Sequence, residues 1–155
     1  MKTCPLCGDQ FDAAPAVCRS CWYSGALLAK NLRGTIDVLE KVTGVHWYAE
    51  HTGGGCAALV ARIDGGHHYD QVDDCPHIMV TKWPDVMSLD DTVATIEQDG
   101  WYVGAYADYW AGDEPVGAWP ADPAGTYGLH TEELPMIVRQ AQLMLLNRKG
   151  QPCHD

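Results

Sequence analysis

The alternation of apolar and polar positions changes period near residue 44. From Ser24 to Thr43 the apolar side chains recur every three to four residues. At about 100° per residue, Leu28, Leu32, Ile36, Leu39 and Val42 fall within an arc of about 120°. Lys30, Arg33, Asp37, Glu40 and Lys41 take the opposite arc. This predicts one amphipathic helix lying on a core, with Ser24 as N-cap and Gly44 as its stop. Beyond it, Val45 to Glu50, Cys56 to Ile63 and His77 to Trp83 are short runs rich in β-branched and aromatic residues and predict strands. Gly53-Gly54-Gly55 joins the first two, and Asp64-Gly65-Gly66 is a turn after the second. The stretch from His67 to Pro76 fits either a further strand or an excursion.

Ser88 to Asp99 predicts a short helix capped by Ser88, with Asp90 and Asp91 in its first turn, where the helix dipole favours carboxylates. Gly100 ends it, and Trp101 to Ala107 predicts another strand. Asp108 to His130, rich in Gly, Pro and Asp, predicts a long loop. Thr131 to Lys149 predicts a last helix, with Glu132 and Glu133 in its first turn and Pro135 tolerated there. Ile137, Val138, Ala141, Met144 and Leu145 make one wide face, while Met136, Leu143 and Leu146 point elsewhere. A helix apolar nearly all round predicts burial on two sides, between the sheet and the first helix, with a homodimer contact as the alternative.

The fold class expected is α+β: a small antiparallel sheet packed by helices, with an N-terminal Cys4 zinc knuckle module. Residues 1–23 form the module and 24–155 the α+β domain, with the 24–43 helix joining the two. The chain has 155 residues, 46% of them apolar, which suits one domain with a metal-held appendage. No apolar run reaches the roughly 18 residues a membrane span needs. The N-terminus lacks an apolar signal core, so a cytoplasmic protein is expected. Seven cysteines in such a chain favour metal ligation over disulfides.

Charge sharpens the picture. Residues 1 to 50 are neutral, with Lys2, Arg19, Lys30, Arg33 and Lys41 balancing Asp9, Asp12, Asp37, Glu40 and Glu50, so the remainder carries the whole −11. No Lys or Arg lies between Lys82 and Arg139, while eleven carboxylates do. Such a surface repels a phosphate backbone, because nucleic-acid affinity comes from Lys and Arg releasing counterions. It suits a protein partner with a basic surface.

The most specific pattern is Cys4-Pro5-Leu6-Cys7-Gly8, then Cys18-Arg19-Ser20-Cys21. Two residues between cysteines let both sulfurs face one tetrahedral ion while backbone N–H groups point at the thiolates. Gly8 suits the left-handed backbone such a knuckle needs. Four cysteines close the coordination sphere, so the expected Zn2+ is structural. Metal binding in small zinc modules supplies roughly 10–16 kcal/mol of apparent folding free energy. Iron is the main rival ion, and a redox CxxC or two disulfides are the non-metal readings.

This opening with its following helix, together with His51-Thr-Gly-Gly-Gly-Cys56 and Gly100-Trp-Tyr-Val-Gly-Ala-Tyr106, resembles small proteins of actinobacteriophages with zinc-ribbon or treble-clef-like openings. The likeness covers about half the chain. It implies zinc ligation by Cys4, Cys7, Cys18 and Cys21, a phage origin and the cytoplasm of a bacterial host. It carries over no catalytic residue.

Two further groups stand out. His51, Cys56, His68, Cys75 and His77 lie close in sequence and could hold a second metal ion; with an open position that ion could activate water. The plainer reading is a buried thiol and structural histidines. Half of the aromatic residues fall between Trp101 and Tyr127. Asp108, Tyr109, Trp110, Asp113, Glu114 and Trp119 are the candidate partner-binding residues, since Trp and Tyr are enriched among interface hot spots. The alternative is a local core covered by solvating carboxylates. No phosphate-binding loop, dinucleotide fingerprint or hydrolase elbow is present.

The expected function is therefore a non-enzymatic zinc-containing protein-binding module, a phage accessory protein engaging a host factor through an acidic aromatic surface. Nucleic-acid mimicry is one version of it. The alternatives are a zinc-containing nucleic-acid-binding transcriptional regulator and a metal-dependent hydrolase.

Overall fold

A computed structural model of the chain describes residues 1–12, 16–66, 75–84, 86–107, 114–121, 125 and 127–148. The apolar stripe of the first helical stretch is buried as expected: Leu28, Leu32, Ile36 and Leu39 are at most 1% exposed. The helix carrying them is not continuous. After α1 (Arg19–Tyr23) come α2 (Ala26–Asn31) and α3 (Arg33–Thr43). Ser24 closes α1 instead of opening a helix, and its hydroxyl donates to the Cys21 carbonyl at 3.2 Å.

The break within that stretch lies at Leu32, between α2 and α3, with φ −106° and ψ 17°. Gly25, the N-cap of α2, has φ 78° and sits so close to the next strand that a Cβ would stand 2.5 Å from the Ala49 carbonyl oxygen. A wheel built on sequence spacing does not register this approach, because it comes from a residue 24 positions away. Gly44, with φ 71°, ends α3 as predicted.

The sheet has six strands among the described residues, all antiparallel, in the order β3 (Tyr48–Gly53), β4 (Cys56–Arg62), β5 (His77–Lys82), β7 (Trp101–Tyr106), β8 (Gly117–Trp119), with β6 (Met87–Ser88) paired to β4. Gly54 and Gly55 turn β3 into β4 with φ of 59° and 85°, a left-handed pair that twists with the flanking strands. On β4, Ala57, Leu59 and Ala61 face the helices, while Ala58 and Val60 are fully buried on the other side.

Two expectations are corrected here. Ser88 caps no helix, because Met87 and Ser88 are taken up by the free end of β4, opposite Ala57 and Cys56. The helix that follows, α4 (Val93–Glu97), is capped by Thr92 and Thr95 in a reciprocal box. Asp91 is buried instead, accepting from the Ser88 N–H at 2.7 Å and the Thr95 hydroxyl at 2.8 Å. Residues 108–130 are not one loop either. β8 pairs with β7, and Leu129 bridges Trp101. The segment 67–74 of the ambiguous stretch lies outside the described residues.

The last helix, α5 (Leu134–Leu146), begins three residues later than expected, after a turn at 131–133 in which the Glu133 carboxylate accepts the His130 N–H at 3.1 Å. It packs between the sheet and α3 through Leu134, Val138, Ala141 and Leu145. Met136, Leu143 and Leu146 are 68%, 43% and 53% exposed, so its outer side faces solvent in the monomer. No helix among the described residues is long and apolar enough to cross a membrane.

Candidate metal centre

The N-terminal segment has too few apolar residues to fold on burial alone. What it does have is a short hairpin, β1 (Lys2–Thr3) with β2 (Gln10–Phe11), that fixes the first cysteine pair. Inside it the Cys4 N–H donates to the Asp9 carbonyl at 2.7 Å and the Gly8 N–H to the Cys4 carbonyl at 2.9 Å. Gly8 has φ 83°, the left-handed backbone the knuckle requires.

The second pair comes from a helix start. Cys18 is the N-cap of α1, its sulfur accepting the Cys21 N–H at 3.5 Å, and Cys21 sits in the first turn. The Cys18 N–H in turn donates to the Cys4 sulfur at 3.4 Å, stitching the two halves together. A knuckle thus supplies one pair and a helix start the other.

All four sulfurs lie within 4.8 Å of one another, and those of Cys7 and Cys18 are 3.6 Å apart. Sulfurs at the corners of a tetrahedron around an ion, each about 2.3 Å from it, are about 3.8 Å apart. The four cysteines are thus close enough together to hold one metal ion. Cys4, Cys18 and Cys21 are buried, whereas Cys7 is exposed.

The electrostatics agree with the geometry. Burial pushes the Cys4 thiol up, but N–H groups of Cys18, Leu6 and Cys7 aimed at its sulfur more than offset this and hold it at about 6. Burial, with the sulfurs of Cys7, Cys18 and Cys4 crowding it, drives Cys21 the other way. One thiolate is favoured by the backbone, and the packing of further thiolates beside it calls for a cation.

Around the sulfurs, Val17 is buried and Leu6, Phe11, Trp22, Ala26 and Leu27 pack against the cluster. Trp22 also packs against the main core, so it couples the metal module to the sheet domain. Sequence reading passed over it, because a Trp adjoining a cysteine pair carries no periodic signal.

Among the described residues, the second set of candidate ligands forms no cluster. His51 stands opposite Ala57 and His77 opposite Arg62, which places them five residues apart along β4, about 17 Å at strand rise. The His51 Nε2 accepts the Gly55 N–H at 3.3 Å, and its ring meets Tyr23 edge-on. His77 is buried, with Nδ1 3.1 Å from the Cys75 carbonyl oxygen and its ring stacked on Tyr106. Cys75 is disulfide-bonded, which corrects the preference for metal ligation over disulfides at this residue. Cys56 is a half-buried free thiol. His68 lies outside the described residues. Among the described residues the four N-terminal cysteines are the one group able to hold a metal ion.

Of the candidate partner-binding residues, Asp108, Tyr109, Trp110 and Asp113 also lie outside the described residues. Glu114 is exposed, and Trp119 is half-buried on β8 against the main core. The structure adds residues that the reading had not grouped. Glu97, Tyr127, Leu129, His130, Thr131 and Glu132 converge on a recess of about 50 Å³. No family model, curated protein or solved structure matches the chain.

Proposed function

We propose that this protein is a non-enzymatic binding module, stabilised by one structural zinc ion, that engages a basic protein surface through its acidic, aromatic side. The observation that carries the reading is the recess between α4 and the start of α5. Glu97 and Glu132 flank it, Tyr127 is 42% exposed beside it, and the Tyr127 hydroxyl donates to the Glu97 carbonyl. Its size and polarity suit the head of a Lys or Arg side chain, held by carboxylates and an aromatic ring. Asp90, Asp99 and Glu114 are exposed as well, and the segment from 83 to 138 contains no Lys or Arg.

Zinc is the ion favoured by four thiolates at tetrahedral spacing, with iron as the rival. Metal analysis of the purified protein, expected to give about one zinc per chain, tests this half of the proposal. The other half is tested by pull-down at low and high salt, with the E97K/E132K double variant alongside. The reading requires a retained protein of high isoelectric point that is lost at high salt and lost by the variant. Identical retention by both forms sinks it.

The nucleic-acid-binding alternative has less to rest on. Of its basic residues, Arg33 pairs with Asp37 at 3.8 Å and Arg19 lies over the Tyr23 ring. A gel shift of the full chain at low salt decides it. For metal-assisted hydrolysis, the described residues offer no second group of ligands.

A further inference from the structure

We propose that Cys7 is the modification site of the metal centre, the ligand at which a hydroperoxide oxidises the cluster and expels the ion. The proposal rests on the zinc reading above. Its first ground is access. Cys4, Cys18 and Cys21 are 2%, 6% and 9% exposed, whereas Cys7 stands at the surface. A metal-bound cysteine is held as thiolate, and the thiolate is the form that reacts with electrophiles. Four equivalent nucleophiles therefore become one by shielding.

The second ground is the backbone around the sulfurs. The Cys4 sulfur accepts N–H groups from Cys18, Leu6 and Cys7, each of which draws electron density from it. Among backbone donors, Cys7 accepts from Asp9. Within the knuckle, the exposed sulfur of Cys7 thus has fewer backbone donors than that of Cys4.

The third ground is a resolving partner. The Cys18 sulfur lies 3.6 Å from that of Cys7. The Cys7 thiolate attacks one oxygen of the hydroperoxide, the O–O bond breaks, and the products are Cys7–S–OH and hydroxide or alkoxide. The Cys18 thiolate then attacks the Cys7 sulfur, the S–S bond forms, the S–O bond breaks and a hydroxide leaves. Two thiolates have lost two electrons, the peroxide has gained them, and the ion has lost two of its four ligands. A dithiol reverses the step. Loss of the ion frees the β1–β2 hairpin and α1, and Trp22 transmits the change to the main core.

The test uses the full chain loaded with zinc and treated with graded hydrogen peroxide. Zinc release is followed with a chromogenic chelator and cysteine oxidation by peptide mass spectrometry. A Cys7–Cys18 disulfide should accumulate in step with released zinc. Cys7→His keeps a fourth ligand and removes the thiolate, so peroxide-driven release should slow at least about tenfold. Release at the wild-type rate from that variant, or oxidation of Cys4, Cys18 or Cys21 ahead of Cys7, overturns the proposal. Should Cys7→His fail to bind zinc, limited alkylation of the zinc-loaded wild type decides. Labelling of Cys7 ahead of the other three ligands is required, and equal labelling refutes it. A chain that binds no zinc at all fails the underlying reading first, and metal analysis reports that separately.

Discussion

The Gln142 side chain on α5 donates to the main-chain carbonyl of Thr43 at 2.8 Å, joining residues 99 positions apart. Thr43 is the last residue of α3, where carbonyls lack intrahelical partners, and Gln142 is 3% exposed. One buried amide thus satisfies a helix end and sets the packing of α5 on α3. Gln142→Leu should lower stability by about 1–3 kcal/mol, because it leaves the carbonyl buried and unpaired. Urea unfolding checks this. An unchanged midpoint would mean that water reaches the carbonyl.

Gly100 and Gly128 meet backbone to backbone. Gly100 has φ 96°, and a Cβ on it would stand 2.6 Å from Gly128 main-chain atoms. Gly100→Ala should cost about 2–4 kcal/mol, more than a left-handed alanine alone, because two chain segments must separate. Thermal unfolding of this variant beside Gly44→Ala, where no atom lies within 4 Å, separates the two contributions.

Asp64 receives two hydrogen bonds from buried Arg62, at 3.0 and 2.5 Å, and the Gly66 N–H at 2.9 Å. Partial burial raises its pKa, but these partners more than offset that and hold it below the ordinary 3.8. A carboxylate depressed in the folded state stabilises fully above its unfolded value. That contribution is lost as pH falls through the folded value. Stability should therefore decline below about pH 4, and Asp64→Asn should flatten this part of the curve while costing about 1–2 kcal/mol at neutral pH. Denaturant titrations at stepped pH measure both.

Cys21→Ser removes a buried ligand, 9% exposed. Zinc content should fall to near zero, and limited proteolysis should cut within residues 1–23 first. The main core is built from residues outside that module, apart from Trp22 at its margin, so the sheet should persist. Equal protease resistance in metal-loaded and variant protein would show that the hairpin and α1 hold without an ion.

The sequence alone determined the elements whose cause is local. The apolar stripe of Leu28, Leu32, Ile36 and Leu39, the strands β3, β4, β5 and β7, the glycine stops at Gly44 and Gly100 and the four-cysteine cluster follow from spacing and from backbone preference, which act within a few residues. Tertiary structure decided what depends on distant neighbours. Ala49 leaves no room for a Cβ at Gly25, the edge of β4 claims Met87 and Ser88, and β7 draws Gly117–Trp119 into the sheet. The same holds for the sites. His51 on β3 and His77 on β5 lie beside opposite ends of β4, while Glu97, Tyr127 and Glu132, separated by similar lengths of chain, share one recess. Sequence separation is a poor guide to distance once a chain crosses a sheet, because each hairpin exchanges neighbours along the chain for neighbours across it.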